Sequence, residues 1–171
     1  MIREILKYPD KRLKQTSKDV EYFDEHLHTL LDDMYETMGE NGGIGLAAIQ
    51  VGIPQNVLII ELYDEEGEKA SELFEVINPK IISRDGEIKY KEGCLSIPEF
   101  YEEVTRNEHV TVSYKDRDGN EKTVDAHGLL AIALQHEMDH LNGRLFFERL
   151  SILKRKKFEK EYKASIKTGK K

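Results

Sequence analysis

Cysteine is nearly absent from this 171-residue chain: Cys94 stands alone, which excludes an intrachain disulfide and makes a reducing compartment the natural setting. Long apolar runs are missing as well. No stretch approaches the roughly 18 residues of a membrane span, and Glu4 interrupts the opening M-I-R-E-I-L-K where a signal peptide needs an unbroken apolar segment. The expectation is a cytoplasmic protein with no membrane partner. Internal repeats and low-complexity linkers are also lacking, and at roughly 150 residues per domain the length allows one core. Basic charge is in deficit, with 26 Lys and Arg against 33 Asp and Glu for a net −7, which speaks against a general nucleic-acid binder and against DNA as a partner.

That deficit is uneven. Residues 151–171 hold nine Lys and Arg against Glu159 and Glu161, a net +7, so residues 1–150 keep 17 basic and 31 acidic side chains, a net −14. The expected organisation is one domain: an acidic unit over residues 1–150 and a basic helix or tail over residues 151–171.

Leu27, Leu30, Leu31, Met34 and Met38 recur at helical spacing, predicting an amphipathic helix that Asp24 caps and Gly39 stops, with His26 and His28 as surface histidines beside the stripe. A glycine-rich segment, N-G-G-I-G-L-A-A-I-Q (residues 41–50), precedes Pro54 and a strand over residues 57–62. Further strands are expected over residues 73–77, ended by Asn78-Pro79, and over residues 87–90. Another opens at His109 and returns through Val124 after the turn signal D-R-D-G-N (residues 116–120). His109 and His127 are expected to carry no chemistry. Asp125 is expected to cap a helix, A-H-G-L-L-A-I-A-L-Q-H-E-M-D-H-L, that is apolar on more than one face, hence buried, and ends at Asn142-Gly143. A Lys-rich helix from about Ser151 presents Ile152, Leu153, Phe158, Tyr162 and Ile166 as its apolar side.

His136-Glu137-Met138-Asp139-His140 fits H-E-x-x-H. Residues four apart on a helix lie one above the other, so both imidazoles can bind one ion, and Glu137, turned about 100° from His136, flanks the same site beside a water. This is the pattern of metal-assisted hydrolysis. The competing reading, two core histidines, would bury imidazoles and a carboxylate without a partner charge. A hydrolytic site wants three protein ligands and one open position. The extension H-E-x-x-H-x-x-G-x-x-H matches Gly143 but fails at Phe146, while Glu161 has a suitable separation but lies between Lys160 and Lys163 in a solvated helix. Cys94, in E-G-C-L-S, is the remaining soft donor, and a thiolate favours zinc or ferrous iron over magnesium or calcium. Glu92 reads equally as support for a ligand or as a strand-end carboxylate. Gly43-x-Gly45-x-x-Ala48 imitates a dinucleotide fingerprint, which needs a strand before it and a helix after it. Here the order is reversed.

G-I-G-L-A-A-I-Q (residues 43–50), E-G-C-L-S (residues 92–96) and Q-H-E-M-D-H-L-N-G (residues 135–143), in this order and spacing, resemble the three signature motifs of the peptide deformylases. Y-P-D-K-R-L (residues 8–13) and the strand region up to Gly119 are similar too, so the likeness runs to Leu150. The resemblance implies that Cys94, His136 and His140 bind one divalent ion, ferrous iron in the cell with Zn2+, Ni2+ or Co2+ able to substitute. It implies that Glu137 is the general base and that the Gln50 amide and the Leu95 backbone N–H stabilise the oxyanion. Substrates would be N-formylmethionyl peptides and nascent chains, releasing formate. Closely spaced glycines let a peptide lie along Ile44 and Gly45 like an added strand. By the same match, Ile44, Leu129 and Ile132 form the methionine pocket, with plain core packing as the alternative. Two positions depart from the family: Phe100-Tyr101 where an arginine often holds the distal peptide, and Glu148 where aspartate is usual.

The expected fold is α+β, with mixed or antiparallel strands around a buried central metal-binding helix and a basic helix at the C-terminus. A +7 tail on a −14 body suggests weak attachment to ribosomal RNA, against the plainer reading of a solubilising helix. Two other classes compete: a zinc peptidase with a carboxylate third ligand, and a non-catalytic peptide- or ribosome-binding module.

Overall fold

The computed structural model describes residues 1–167, apart from the side chains at 163 and 165–167. Helix α1 (Glu25–Glu40) precedes the short strand β1 (Gly45–Ala47), a single 3-10 turn (Ala48–Val51) and β2 (Val57–Ile60). Strands β3 (Phe74–Asp85), β4 (Ile88–Cys94), β5 (Ile97–Arg106), β6 (His109–Lys115) and β7 (Glu121–His127) follow. Helix α2 (Gly128–Leu141), a 3-10 turn (Phe146–Arg149) and α3 (Ile152–Lys167) complete the chain. Five strands form one sheet in the order β1-β2-β3-β6-β7, β4 and β5 form a second, and every strand pairing is antiparallel.

Strand β2 explains the layering. Its four residues are all buried because each face meets a different core: Val57 and Ile59 pack with Leu27, Leu30, Leu31, Met34 and Met38 of α1, whereas Leu58 and Ile60 pack with Ala131, Leu134 and Leu141 of α2. Alternate side chains of a strand point to opposite faces, so a continuous apolar run marks a strand covered on both. Asp24 caps α1 as expected, its Oδ1 accepting the N–H groups of His26 at 3.1 Å and Leu27 at 3.3 Å.

Strand β3 does not end at Asn78-Pro79. It continues to Asp85 because a register shift between Ile77 and Lys80 absorbs the proline, Asn78 adopts φ 52°, and its side chain brackets the Val20 backbone at 2.8 and 3.0 Å. β5, ten residues long, escapes the sequence reading altogether, since its hydrogen bonds are satisfied by a neighbour rather than by local pattern. Asp125 does not cap α2 either. The β6–β7 ladder pairs His109 with His127, so β7 runs two residues past Asp125, His127 takes the cap position, and Asp125 bonds instead with His109 and Thr111.

Helix α3 presents a narrower apolar side than its sequence suggests. Phe158 is fully buried among Tyr8, Phe100 and Phe147, and the half-buried Tyr162 donates its hydroxyl to the Tyr8 carbonyl, but Ile152 and Leu153 are 72% and 81% exposed. Ile166 lies outside the described residues. Phe158→Ala should therefore cost about 3 kcal/mol in urea denaturation. Leu153→Ala on the other side should change stability by less than about 0.5 kcal/mol.

Candidate metal centre

Helix α2 delivers His136, Glu137 and His140 to one place, and β4, at its C-terminal end, delivers Glu92 and Cys94. The donor atoms of Cys94, His136 and His140 all lie within 4.8 Å of one another, with Cys94 Sγ 3.4 Å from His140 Nε2. Both histidines are buried, and their rings meet edge to face with centroids 5.1 Å apart. Glu161 takes no part: it faces Lys157 at 4.0 Å on an exposed side of α3. Phe146, where a third histidine was sought, stacks on the His136 ring at 5.8 Å.

Charge in the pocket fits a cation. Burial opposes a proton on His136, but the bonds to Cys94 and Glu92 prevail and raise its pKa well above the ordinary histidine value. Burial, then the neighbouring His136, push His140 well below that value. The pair therefore favours positive charge at one imidazole and a free lone pair at the other. One thiol and two imidazoles at this separation suit a divalent transition ion, with softness pointing to zinc or iron.

A buried chain of charges holds this arrangement. His136 Nδ1 donates to Glu92 Oε1 at 2.8 Å, and Arg106 grips both oxygens of Glu92 at 2.8 and 2.9 Å. Arg106 also reaches Asp139 at 2.6 Å, and Arg149 forks onto Asp139 at 2.6 and 3.0 Å. Burial pushes the Glu92 and Asp139 carboxyls up, yet their hydrogen bonds to Arg106, His136 and Arg149 outweigh it and hold both below the ordinary range. Glu92 is thus no mere strand-end carboxylate. Arg106 and Asp139 went unnoticed in the sequence: Asp139 fills a variable position of H-E-x-x-H, and Arg106 ends the unexpected strand β5.

Glu137 is buried at the floor of the site, and its Oε1 has no hydrogen-bond partner among the described residues. Burial pushes its pKa up to about 7. A methyl group added to Gly45 would lie 2.6 Å from Glu137 Oε2, so the carboxylate occupies the room that glycine leaves. Gly43 leaves similar room for Leu95, at 2.6 Å. Gln50 is oriented by its own chain: Oε1 accepts the Ala47 N–H at 2.9 Å, which directs Nε2 toward Ser96 Oγ at 3.1 Å and Cys94 Sγ at 3.6 Å.

A cleft of about 520 Å³ opens onto these groups. Ile44, Gly45, Leu129 and Ile132 line it, as do Gln50, Cys94, Leu95, His136 and Glu137, so every sequence-predicted site residue except the deeper His140 borders this space. β1 forms one wall and is an edge strand, paired on one side only. Tyr101 borders the distal part and covers Gly93, where a methyl group would meet its ring at 2.4 Å. Glu148 sits apart from the cleft, accepting the Leu145 N–H at 2.9 Å to close the 3-10 turn.

Arg106→Met should destabilise the protein by about 3–5 kcal/mol, because it takes the guanidinium from buried Glu92 and leaves Asp139 with Arg149 alone. In urea denaturation the gap should narrow as pH falls below about 4. Carboxyls with depressed folded pKa values stabilise above their unfolded pKa and lose that contribution as pH drops through the folded one.

Known proteins carry the same pattern along the whole chain. Residues 2–156 match the profile of the family described as polypeptide deformylase. The chain is 54% identical over 171 residues to the peptide deformylase of Nautilia profundicola, covering 99% of this chain and 98% of that one. Among solved structures, a peptide deformylase from Legionella pneumophila superposes with TM-score 0.88 at 43% identity, covering 99% and 98% of the two chains. That of Ehrlichia chaffeensis in complex with actinonin gives 0.86 at 42%, covering 96% and 97%. A half-buried thiol and a buried H-E-x-x-H pair beneath an edge-strand cleft, and this full-length similarity, agree: the chain belongs to the polypeptide deformylase family.

Proposed function

We propose that this hydrolase removes the N-formyl group from newly made polypeptides at the Cys94–His136–His140 centre, with those three residues as ligands of one divalent ion. The family supplies the reaction, hydrolysis of the formyl amide. The observation that carries the site is the convergence of three soft donors beside a buried carboxylate whose Oε1 lacks a partner. Ferrous iron is the ion we favour, with Zn2+, Ni2+ or Co2+ able to substitute, since thiolate and imidazole suit all four. When bound, such an ion supplies Lewis acidity, easing ionisation of water and polarising the formyl carbonyl.

The residues supply the rest. Glu137 accepts a proton from the attacking water and returns it to the departing amine nitrogen. Gln50 Nε2 and the Leu95 N–H donate to the formyl oxygen as it gains negative charge. Water adds across the C–N bond, giving formate and a free methionyl amine. The open edge of β1 at Ile44 and Gly45 hydrogen-bonds the peptide backbone as an added strand, which reads chain direction without selecting side chains. Ile44, Leu129 and Ile132 hold the methionine side chain. In this reading α2 is the central metal-binding helix, residues 1–150 form the catalytic unit, and the basic helix over residues 151–171 belongs to the same domain. The reaction belongs in the cytoplasm, where nascent chains and a reduced Cys94 coexist; neither DNA nor a lipid surface has a part in it, and no helix is long and apolar enough to cross a membrane.

Formate release from formyl-Met-Ala by anaerobically purified enzyme tests the assignment. Cys94→Ala should lose both bound metal and activity; retention of both would overturn it in favour of a carboxylate-liganded peptidase. Glu137→Gln should keep the metal and lose at least about 10²-fold in kcat, whereas a non-catalytic binding module would behave like wild type. Because Glu137 must be ionised to accept a proton, kcat/KM should fall with pH through a limb at or below about 7.

The basic helix supports weak, salt-sensitive contact with ribosomal RNA. Lys156 and Lys160 are exposed on α3, so Lys156→Glu with Lys160→Glu leaves the Phe158 anchor intact. The double variant should bind ribosomes more weakly with a shallower salt dependence in sedimentation assays, while deforming no part of the cleft and keeping dipeptide turnover. Unchanged affinity would mean the helix serves solubility alone.

A further inference from the structure

A second group of metal-type donors lies on the large sheet, on three adjacent strands. Asp85 of β3 pairs in register with His109 of β6, and His109 pairs with His127 of β7, so the three side chains form a row across one face. Asp125, two residues before His127 on the same strand, shares that face. The two imidazoles stack with centroids 4.2 Å apart and planes 9° apart.

The hydrogen bonds assign each ring nitrogen a task. His109 Nδ1 faces Asp85 at 2.9 Å, and His127 Nδ1 faces Glu108 at 3.3 Å. With Nδ1 donating to a carboxylate, each neutral imidazole carries its lone pair on Nε2. Both Nε2 atoms then turn to one carboxylate: His109 Nε2 contacts Asp125 Oδ1, and His127 Nε2 is 3.7 Å from Asp125 Oδ2. Lone pairs facing a carboxylate repel unless positive charge lies between them. A proton on His109, which Asp125 and Asp85 favour, answers for that ring alone and leaves the His127 Nε2 facing Asp125. One cation answers for all three groups. A carboxylate on the far nitrogen of each ligating histidine is also the usual support of a metal-bound imidazole.

We propose that His109, Asp125 and His127 form a second, surface site for a borderline divalent transition ion such as Zn2+. Imidazole and carboxylate donors select this class over magnesium or calcium. The three donor atoms lie within 4.8 Å of one another. Two nitrogens about 2.1 Å from one ion are at most about 4.2 Å apart, and Asp125 and His127, 63% and 59% exposed, have the freedom to close that difference. His136 lies eight positions beyond Gly128 on α2, about 12 Å along the axis, so the site is distinct from the catalytic one. It nevertheless abuts α2: His127 holds the cap position, and Glu108 accepts the Gly128 N–H at 2.9 Å. An ion here would tie β6 and β7 together where the sheet passes into the helix bearing His136.

The test is calorimetric titration of Zn2+ into enzyme already carrying one metal equivalent per chain, with metal content measured after desalting. One further equivalent is expected. His109→Gln and His127→Gln should each weaken it at least tenfold, and Asp85→Asn about 10- to 100-fold, all with the first equivalent and the deformylation rate unchanged. In a Cys94→Ala background the same equivalent should persist, which separates this site from the catalytic reading. Absence of a second equivalent in the wild-type protein, or a second equivalent indifferent to both histidine substitutions, overturns the proposal.

Discussion

The molecule depends on one buried run of charge, Arg149–Asp139–Arg106–Glu92–His136. It joins β4 and β5 from the small sheet to α2 and to the 3-10 turn that precedes α3. Burying such ions is costly, and a hydrocarbon core of the same volume could be as stable. What the charges supply is direction. Guanidinium forks fix Glu92 bidentately, Glu92 fixes the His136 ring by its Nδ1, and Nε2 is thereby turned toward the candidate metal centre. His140 has no equivalent support, since its buried Nδ1 finds no partner among the described residues. Its ring is held by packing at zero exposure instead.

Around that core of charge, room is allotted by absences. Gly45 gives its space to Glu137, and Gly43 gives its space to Leu95. The glycines at and beside the edge strand β1 are therefore also what allows Glu137 and Leu95 to stand so close to it. An open sheet edge offers backbone hydrogen-bonding groups that do not depend on the side chains of whatever pairs with it.

The sequence made the chemistry more legible than the scaffold. Local periodicity was enough for α1, its Asp24 cap, and the H-E-x-x-H face of α2, because each is determined within a turn or two of helix. Sheet partners are not local. Nothing near residues 97–106 announces β5, and nothing at Asn78-Pro79 reveals that Val20 would bind the asparagine side chain and let β3 continue. The same blindness hid Arg106, whose partners are 14 and 33 residues away. It also misplaced Asp125, a plausible cap in one dimension that becomes, once β6 lies beside β7, a neighbour of two histidines. In α3, helical spacing grouped Leu153 with Phe158, but only the latter meets an aromatic cluster contributed by distant segments.

Among the contacts that join β4 to α2 are those of Glu92 with His136 and of Cys94 with His140. Two residues of strand advance about 6.7 Å, and four residues of helix advance about 6 Å. The strand and the helix are thus nearly commensurate, one acting as a ruler for the other. The chain lengths between these partners are fixed in both elements at once. Insertions and deletions must fall in the loops outside, and the candidate centre is set by matched repeats as much as by the identity of its side chains.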